Sequence, residues 1–409
     1  MAVVGTIRAM NRRHDIDALR AIAFSFLILY HVGMLYVNGW PWHLKSTYTT
    51  SALELPMIFL NRWRMDLIFL VSGVATAMMM RRLAAGAFVR QRIVRLLLPL
   101  VFAMAVVIPI QPYCQGVANG LVEPGFLRFL GRYFTGYAWP AGAFDGWEYG
   151  FTWNHLWYLP YLLCYTLVLV GLQPVMRSWA GMALRERFVA STGWRLLLLP
   201  AVPFAIEAIA LAVRFPATHA LFDDWYDHAA YFTAFLYGWW LGSSIEVWTE
   251  LARLRRISLA AALVVFVAYY ESRTEHPSAA MIAGVLALRS LYAWLAIAAA
   301  LGWGHALLNR PFKWLPFATE AVYPWYILHQ SLIVMIAYWI VPMKLGPVVE
   351  PSLVILGTVA GCAALHVGVI RRFGWLRACF GMKPRDTRSG EHILNPRTPP
   401  LAGAGSRAR

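Results

Sequence analysis

The sequence predicts an all-α, polytopic integral membrane protein with about ten transmembrane helices. Hydrophobic residues make up 60% of the 409 positions and only 14% are charged, against about 25% in a typical soluble chain. Apolar segments that are long enough to cross a bilayer recur along the chain, although the seventh of them is short. They cover residues 17–37, 54–80, 93–113, 154–176, 194–213, 228–248, 257–271, 278–303, 317–341 and 350–370.

The distribution of basic residues predicts the orientation in the membrane. With the N-terminus inside, 26 of the 36 Lys and Arg residues fall in predicted cytoplasmic segments, 6 in external loops and 4 within spans. Because cytoplasmic loops carry the excess of Lys and Arg, both termini are predicted to be cytoplasmic. The net charge of +16 follows the loops and forms no separate basic domain, which argues against nucleic acid as a partner.

The end of the chain differs in composition from the spans. Residues 373–409 are basic, contain Pro and Gly, and have few large apolar side chains. Such a segment buries too little apolar surface to fold alone. We therefore divide the chain into a transmembrane domain, 1–372, and a basic cytoplasmic tail, 373–409, which we expect to be disordered.

The first span carries two ionisable residues on one face. Arg20 and His31 are eleven positions apart, which places them within about 20° of each other on a helix and about 16 Å apart along its axis. Ionisable residues inside a span are costly and mark functional sites. A neutral imidazole in an apolar site can act as a general base towards a hydroxyl, so His31 is the main catalytic candidate. Arg20 is also three positions from Asp17, and a structural ion pair is the alternative.

The second span is interrupted by three charges in the segment NRWRMDLIFLVSG. Arg62 and Asp66 are four positions apart and could pair on one helix face. Arg64 lies between them. At the other end of the segment, Gly73 follows Ser72 and allows another helix to approach closely. An interfacial ion pair without a functional role is the alternative interpretation of these charges.

Three further motifs place polar side chains at or in spans. Arg92 and Arg95 share a face at the cytoplasmic start of the third span, where guanidinium groups suit phosphate; ordinary positive flanking is the alternative. His155 begins the fourth span and could equally be an interfacial histidine. His329 lies near the middle of the ninth span, where a histidine bonded to a backbone carbonyl is the alternative.

Two external segments need separate interpretations. The segment from Cys114 to Trp153 is rich in Gly and aromatic residues and is too long for a simple connector, so it is a candidate lid or acceptor-binding surface. His219 and Asp224 match the HxxxxD pattern of glycerolipid acyltransferases, but one such match arises easily by chance in a chain with 11 His. We expect the acidic segment around them to be a solvated loop and to bind no metal.

Together, these motifs resemble the membrane acyltransferase-3 family. Arg20 and His31 fit its R-x10-H signature, and the later motif YILHQSLI differs from its YLLHxP-type motif by Ser331 where Pro is usual. The first external loop, with Trp42 and His43, is similar to that of the glucan biosynthesis protein C branch, which is associated with succinylation of periplasmic glucans. The other matching segments are RMDLIFLVSGV, RIVRLLLP and HLWYLPYLL.

The resemblance implies a membrane-embedded O-acyltransferase of the bacterial inner membrane. Its donor would be cytoplasmic acyl-CoA, either succinyl-CoA or acetyl-CoA, and its acceptor a hydroxyl of a periplasmic or cell-surface glycan. The expected partners are therefore acyl-CoA, a glycan and the lipid bilayer. No bound cofactor is expected. A transporter or flippase with a polar intramembrane route is the alternative function.

The resemblance also implies roles for the polar residues. His31 and Arg20 would be catalytic, and Arg92 and Arg95 would bind CoA phosphate. Whether the acyl group passes directly to the acceptor or through an acyl-histidine stays open at this point. The expected substrate-binding residues are Arg92, Arg95, Arg64, Asp66, His155 and His329.

Overall fold

The computed structural model describes residues 13–242, 244–274 and 277–383, and the described chain is all-helical, as predicted. The sixteen α-helices in these ranges are α1 (His14–Tyr36), α2 (Glu54–Met80), α3 (Ala85–Val106), α4 (Ile110–Ala118), α5 (Phe126–Tyr133), α6 (Tyr158–Gly171), α7 (Gln173–Met176), α8 (Trp179–Val189), α9 (Gly193–Leu198), α10 (Ala201–Leu211), α11 (Trp225–Leu241), α12 (Ile245–Glu271), α13 (Ala279–Leu308), α14 (Leu315–Ile340), α15 (Val349–Leu365) and α16 (Gly374–Cys379). A π-helical turn, His366–Ile370, continues α15.

Seven helical segments in the described residues are long and apolar enough to cross a membrane. The other three predicted spans coincide with α6, α11 and α12, which are helical but fall short in length or in hydropathy. The count of ten crossings therefore remains a prediction. The seven segments are His14–Tyr36, Ser51–Met80, Ala85–Ala118, Gly193–Leu211, Ala279–Leu308, Leu315–Met343 and Val349–Ile370.

The predicted boundary between the sixth and seventh spans was wrong. Helix α11 ends at Leu241, seven residues before the expected end, and α12 begins at Ile245 and runs for 27 residues. Charged residues, including Arg253 and Arg255, occupy the first half of α12. They lower its local hydropathy, so only its apolar second half resembles a span in the sequence.

The end of α1 is held by a side chain from the following loop. The Lys45 ammonium donates to the carbonyl oxygens of Met34 and Val37 at 2.7 and 2.5 Å. Carbonyls in the last turn of a helix have no intrahelical donor, so Lys45 satisfies them. Burial lowers the pKa of Lys45. The contact fixes the loop that follows α1 over the end of that helix.

The apolar run that forms the third predicted span is divided into two helices, α3 and α4. Pro109 lies at the break and has no N–H for a helical hydrogen bond. The carbonyl of Val107 is left free and accepts a hydrogen bond from Ser331 Oγ of α14 at 2.9 Å. Because α4 starts afresh after the break, Gln111 turns towards α14.

Helices α2 and α11 approach each other through glycine. A Cβ at Gly73 would overlap the carbonyl oxygen of Phe235, and one at Gly238 would overlap that of Leu70. The two backbones therefore touch directly, which confirms the close approach expected at Gly73. This contact draws the charged first half of α2 against the start of α11.

The long segment after α4 forms a small aromatic core of its own. Phe129, Trp139 and Phe144 are buried there, and the Phe129 ring centroid is 5.0 Å from that of Trp139. The residues that follow, 145–153, begin at Asp145, which lies 3.2 Å from Nδ1 of His43 in the loop after α1. They form the outer rim of the cavity described below.

The first residues of the predicted tail are ordered against the helices. Phe380, just after α16, packs on Phe102 of α3 with ring centroids 5.5 Å apart. Arg377, in α16, lies 3.5 Å from Glu320 of α14 and forms an ion pair with it. The remainder of the predicted tail, 384–409, lies outside the described residues.

Candidate active site

A cavity of about 1170 Å³ lies between α1, α2, α11, α13 and α14, beneath the loop 145–153. Concave sites with mostly apolar walls and a few converging polar groups are the usual binding sites of proteins. The polar side chains on the inner walls are Tyr30, His31, His43, Asn61, Arg62, Arg64, His155, Asp227, Tyr231, Arg289 and Gln330. Most of them are ionisable, although the surrounding helices are apolar.

His31 and His329 form a direct pair at this cavity. His31 Nδ1 lies 2.9 Å from His329 Nε2, and the two ring planes are within 11° of parallel, with centroids 5.1 Å apart. His329 Nδ1 lies 2.8 Å from the carbonyl oxygen of Tyr326. A carbonyl only accepts, so His329 Nδ1 carries the proton and its Nε2 is the acceptor for His31 Nδ1–H. This assignment leaves His31 Nε2 unprotonated.

The unprotonated nitrogen of His31 is available to a substrate. His31 lines the cavity, and no hydrogen-bond partner of its Nε2 is found among the described residues. A free imidazole nitrogen next to an apolar cavity can accept a proton from a hydroxyl or attack a carbonyl carbon. The structure therefore brings the main catalytic candidate and the predicted His329 together.

His155 completes a group of three imidazoles. Asn154 has a positive φ of 44°, a conformation that Asn tolerates better than most residues, and this turn directs the chain into α6. His155 Nε2 donates to the carbonyl oxygen of Tyr326 at 3.0 Å, and the Tyr326 hydroxyl donates to the His155 carbonyl at 2.6 Å. The His155 ring lies edge-on to His329, with centroids 4.9 Å apart.

His43 belongs to the same network, and the sequence analysis did not select it as a site residue. Gln330 Nε2 lies 3.0 Å from His43 Nε2, and His43 Nδ1 lies 2.6 Å from Gln115 Oε1. Asp145, on the loop above the cavity, lies 3.2 Å from His43 Nδ1. Its place in the Trp42–His43 pair of the first loop was the signal that could have identified it. Helical periodicity could not, because it does not apply to a loop residue.

Arg64 lies on the cavity wall beside these histidines. Its side chain is buried, and its guanidinium carbon is 3.9 Å from the ring centre of Tyr30. Its Nε and Nη1 have no hydrogen-bond partner within the described part of the chain. The predicted substrate-binding residue Arg64 is thus positioned at the cavity with two donors unused.

The ion pair that the spacing of Arg62 and Asp66 allows is not formed. Arg62 turns over the ring of Tyr269, with 5.9 Å between the guanidinium carbon and the ring centre. Asp66 lies near Arg289 of α13. A spacing of four residues allows an ion pair on a helix. Here the ring of Tyr269 competes for Arg62, and Arg289 from a neighbouring helix competes for Asp66. Asp66 is absent from the residues that line the cavity.

Arg20, Arg92 and Arg95 form a separate cluster, which we call the arginine cluster. Their charges lie close enough to interact. Arg92 is buried and donates to the hydroxyl of Thr76 on α2. Arg20 is 3.5 Å from Asp17, so the ion pair that is the alternative structural role of Arg20 is formed. One carboxylate faces three guanidinium groups, and the cluster keeps a positive charge.

Aromatic side chains separate the arginine cluster from the three histidines. Phe24, one helical turn after Arg20 on α1, packs on Tyr326 and Tyr158 with ring centroids 5.2 and 6.5 Å apart. The Tyr158 hydroxyl lies 2.5 Å from Ser72 Oγ. Arg20 and His31 are therefore on one face of α1, as predicted, with an apolar aromatic layer between them.

Comparison with known proteins identifies the chemistry. A family model described as an acyltransferase domain matches residues 13–367. The chain belongs to the acyltransferase-3 family. It is a membrane acyltransferase, and the matched range contains both the arginine cluster and every histidine at the cavity.

Curated relatives of this acyltransferase include the glucans biosynthesis protein C of Escherichia coli strain K12 and that of Shigella dysenteriae serotype 1 strain Sd197. Each is 22% identical, over 350 and 353 residues respectively. The alignments cover 81% of this chain and 85% of each relative. No solved structure matches the chain.

The acidic loop of this acyltransferase is not solvated as expected. Asp224 is fully buried and accepts hydrogen bonds from the Tyr161 hydroxyl at 2.7 Å and from the backbone N–H of His219 at 3.1 Å. These donors compensate the burial of the carboxylate. Burial also lowers the pKa of His219, whose ring stacks on Trp157. The HxxxxD pair thus shapes the loop at the cavity rim.

Proposed function

We propose that this acyltransferase transfers a succinyl or acetyl group from cytoplasmic acyl-CoA to a hydroxyl of a periplasmic or cell-surface glycan. The observation that carries the proposal is the His31–His329 pair, which leaves His31 Nε2 free at a cavity. The names of the relatives support a glucan as the acceptor. The family supports an enzyme over a transporter or flippase.

In the proposed reaction His31 acts as the general base. Its Nε2 takes the proton from the acceptor hydroxyl while the hydroxyl oxygen attacks the thioester carbonyl carbon. The tetrahedral intermediate collapses with cleavage of the carbon–sulfur bond, and His31 returns the proton to the CoA thiolate. His329 is a positioning residue, because its Nε2 accepts a hydrogen bond from Nδ1–H of His31. This bond selects the tautomer of His31 in which Nε2 is unprotonated.

The arginine cluster is the proposed site for the phosphates of CoA. Guanidinium groups bind phosphate oxygens through charge-assisted hydrogen bonds, and Nε of Arg20 and of Arg92 has no partner in the described chain. Arg20 and His31 are about 16 Å apart along α1. An extended donor would place its phosphates on the cluster and its thioester past the aromatic layer, at His31.

The proposed orientation agrees with this arrangement. With both termini cytoplasmic, the arginine cluster lies on the cytoplasmic half of the bacterial inner membrane, and the loop 145–153 lies on the opposite side. The donor then enters from the cytoplasm and the glycan from the periplasm. Arg64 and His155 are proposed to contact substrate in the cavity, whereas Asp66 acts through Arg289.

Acyl transfer in membranes carrying His31→Ala or His31→Gln tests the proposal. Labelled succinyl-CoA and acetyl-CoA are supplied with a periplasmic glucan fraction, and labelled glucan is measured at matched expression. We expect the turnover to fall by at least about 1,000-fold in both variants. His14→Gln, outside the cavity, is the matched control. Near-normal turnover in both His31 variants would overturn the assignment.

The same preparation distinguishes the two chemical routes. If His31 Nε2 attacks the thioester itself, acyl-CoA alone labels the wild-type protein, and His31→Gln abolishes the label. If His31 is only a base, no labelled protein accumulates without acceptor. We propose the second result, because the acceptor hydroxyl and the thioester can both reach a cavity of this size.

A further inference from the structure

We propose that Arg64 binds a carboxylate of the substrate, directly beside the reacting thioester. The proposal rests on the proposed function, since it takes His31 as the place of reaction. It adds that the substrate carries an anionic group close to the reacting atoms, and it names Arg64 as the residue that binds this group.

Arg64 is a buried cation without a counter-charge among the described residues. Arg64 has 5% of its surface exposed, and no ion pair of Arg64 is found among the described residues. Its Nε and Nη1 have no hydrogen-bond partner there. Burying a guanidinium group without a partner is strongly unfavourable. A ligand anion in the cavity would supply both the counter-charge and the missing acceptors.

The guanidinium group of Arg64 is held in place by an aromatic ring. Tyr30 stacks under it, with 3.9 Å between the guanidinium carbon and the ring centre. This contact restricts the Arg64 side chain. A pre-positioned cation recognises a charged group with a smaller loss of conformational entropy on binding.

The cations on the inner wall of the cavity outnumber the carboxylates. Arg62, with an unpartnered Nε, and Arg289 line the cavity together with Arg64, whereas Asp227 is the carboxylate among the inner-wall residues named above. Three guanidinium groups and one carboxylate make this wall positive. In a poorly solvated cavity such a wall attracts an anion far more strongly than it would in water.

Arg64 lies close enough to His31 for one acyl group to reach both residues. The Tyr30 ring centre lies 3.9 Å from the Arg64 guanidinium carbon and 5.9 Å from the His31 ring centre. The guanidinium carbon is therefore within about 10 Å of the His31 ring. A four-carbon dicarboxylic acyl group spans about 4 Å between its two carboxyl carbons. Its free carboxylate can reach Arg64 while its thioester carbon is next to the acceptor oxygen at His31.

A carboxylate at Arg64 can come from two sources. It can be the free end of the transferred acyl group, or it can belong to an acidic sugar of the acceptor. Phosphate is assigned to the arginine cluster, which lies beyond the aromatic layer. The experiment therefore varies donor and acceptor independently.

Arg64→Gln and the wild type are purified and assayed with four substrate pairs. The donors are succinyl-CoA and acetyl-CoA, and the acceptors are a neutral glucan oligosaccharide and one that contains glucuronic acid. If the acyl group carries the carboxylate, kcat/KM falls about 100-fold with succinyl-CoA and less than threefold with acetyl-CoA. If the acceptor carries it, the loss follows the glucuronic acid with both donors.

Three controls keep the proposal falsifiable. Arg64→Lys keeps the positive charge, so we expect its kcat/KM with the affected substrates to be at least tenfold higher than that of Arg64→Gln. The comparison requires that both variants elute as a single species on gel filtration. Arg273→Gln, which breaks an ion pair with Glu54 away from the cavity, is expected to leave all four rates unchanged. His31→Gln is expected to abolish all four reactions; if it does not, the proposed function has failed, irrespective of Arg64.

Two results would overturn the assignment of Arg64. An equal loss with all four substrate pairs would mean that Arg64 acts through the fold or through His31. No loss with any pair would mean that the guanidinium group binds nothing in the reaction.

Discussion

His31 Nδ1 lies 2.9 Å from His329 Nε2, and the far side of His329 is bonded to a backbone carbonyl. The two imidazoles and the carbonyl thus form a chain of hydrogen bonds. The carbonyl of Tyr326 fixes the proton of His329 on Nδ1, and Nε2 of His329 in turn fixes the proton of His31 on Nδ1. A catalytic triad uses a carboxylate in the last position. Here the third member is neutral, and the orientation of the base depends on helix α14.

The first prediction concerns His329. Removing its ring in His329→Ala removes the acceptor for His31 Nδ1–H, so the tautomer with a free Nε2 is no longer favoured. We expect kcat to fall about 100-fold with little change in the KM for acyl-CoA. In His329→Gln the amide oxygen can accept the same proton, and we expect most of the rate to return. Equal losses in the Ala and Gln variants would contradict a positioning role.

The second prediction concerns the arginine cluster as the proposed donor site. Arg92→Gln and Arg95→Gln each remove a cation from the arginine cluster, and we expect each to raise the KM for acyl-CoA about tenfold with kcat changed less than about threefold. Steady-state kinetics at several salt concentrations provide the measurement. Arg90 is exposed on the same helix, and Arg90→Gln is the matched control. A fall in kcat alone would argue against phosphate binding.

The third prediction concerns the contact between α2 and α11. Gly73→Val and Gly238→Val place a side chain on a carbonyl oxygen of the opposite helix, and we expect each to destabilise the protein by roughly 3 kcal/mol or more. Thermal unfolding followed by fluorescence-detected gel filtration would show this as a lower midpoint. Gly284→Ala, at an open position on α13, should not lower the midpoint, because Ala favours a helix more than Gly does.

The fourth prediction concerns orientation. Tyr149 is 71% exposed on the loop above the cavity, and Arg90 is exposed at the start of α3. In spheroplasts a membrane-impermeant maleimide should label Tyr149→Cys without permeabilisation and Arg90→Cys only after it. The wild type, with its native cysteines, gives the background. The opposite pattern of labelling would reverse the predicted topology and the proposed entry of the donor.

Features encoded over one or two helical turns could be predicted from the sequence. The positions of the helices follow from apolar length, and the shared face of Arg20 and His31 follows from helical periodicity. The seventh predicted span is shorter than α12 for a local reason as well, because the arginines in the first half of α12 resemble a loop in hydropathy. Its packing against α13 outweighs that signal.

Contacts between distant segments could not be predicted. His31 and His329 are separated by 298 positions, and no local spacing rule pairs them. Asp224 was expected in solvent because an isolated carboxylate prefers water, but Tyr161 of another helix supplies a donor. Asp66 is not paired with Arg62 for the same reason, since Arg289 comes from α13. In each case a side chain from elsewhere changed the lowest-energy arrangement.

One atom, the carbonyl oxygen of Tyr326, accepts from both His155 and His329. This acceptor does not titrate, and no substitution at position 326 removes it. It also brings no negative charge to His31 and His329. In the reaction proposed above, a proton taken up by His31 is therefore held without a counter-anion behind it, which favours its delivery to the departing sulfur. We infer that the backbone of α14 disfavours the accumulation of a stable imidazolium.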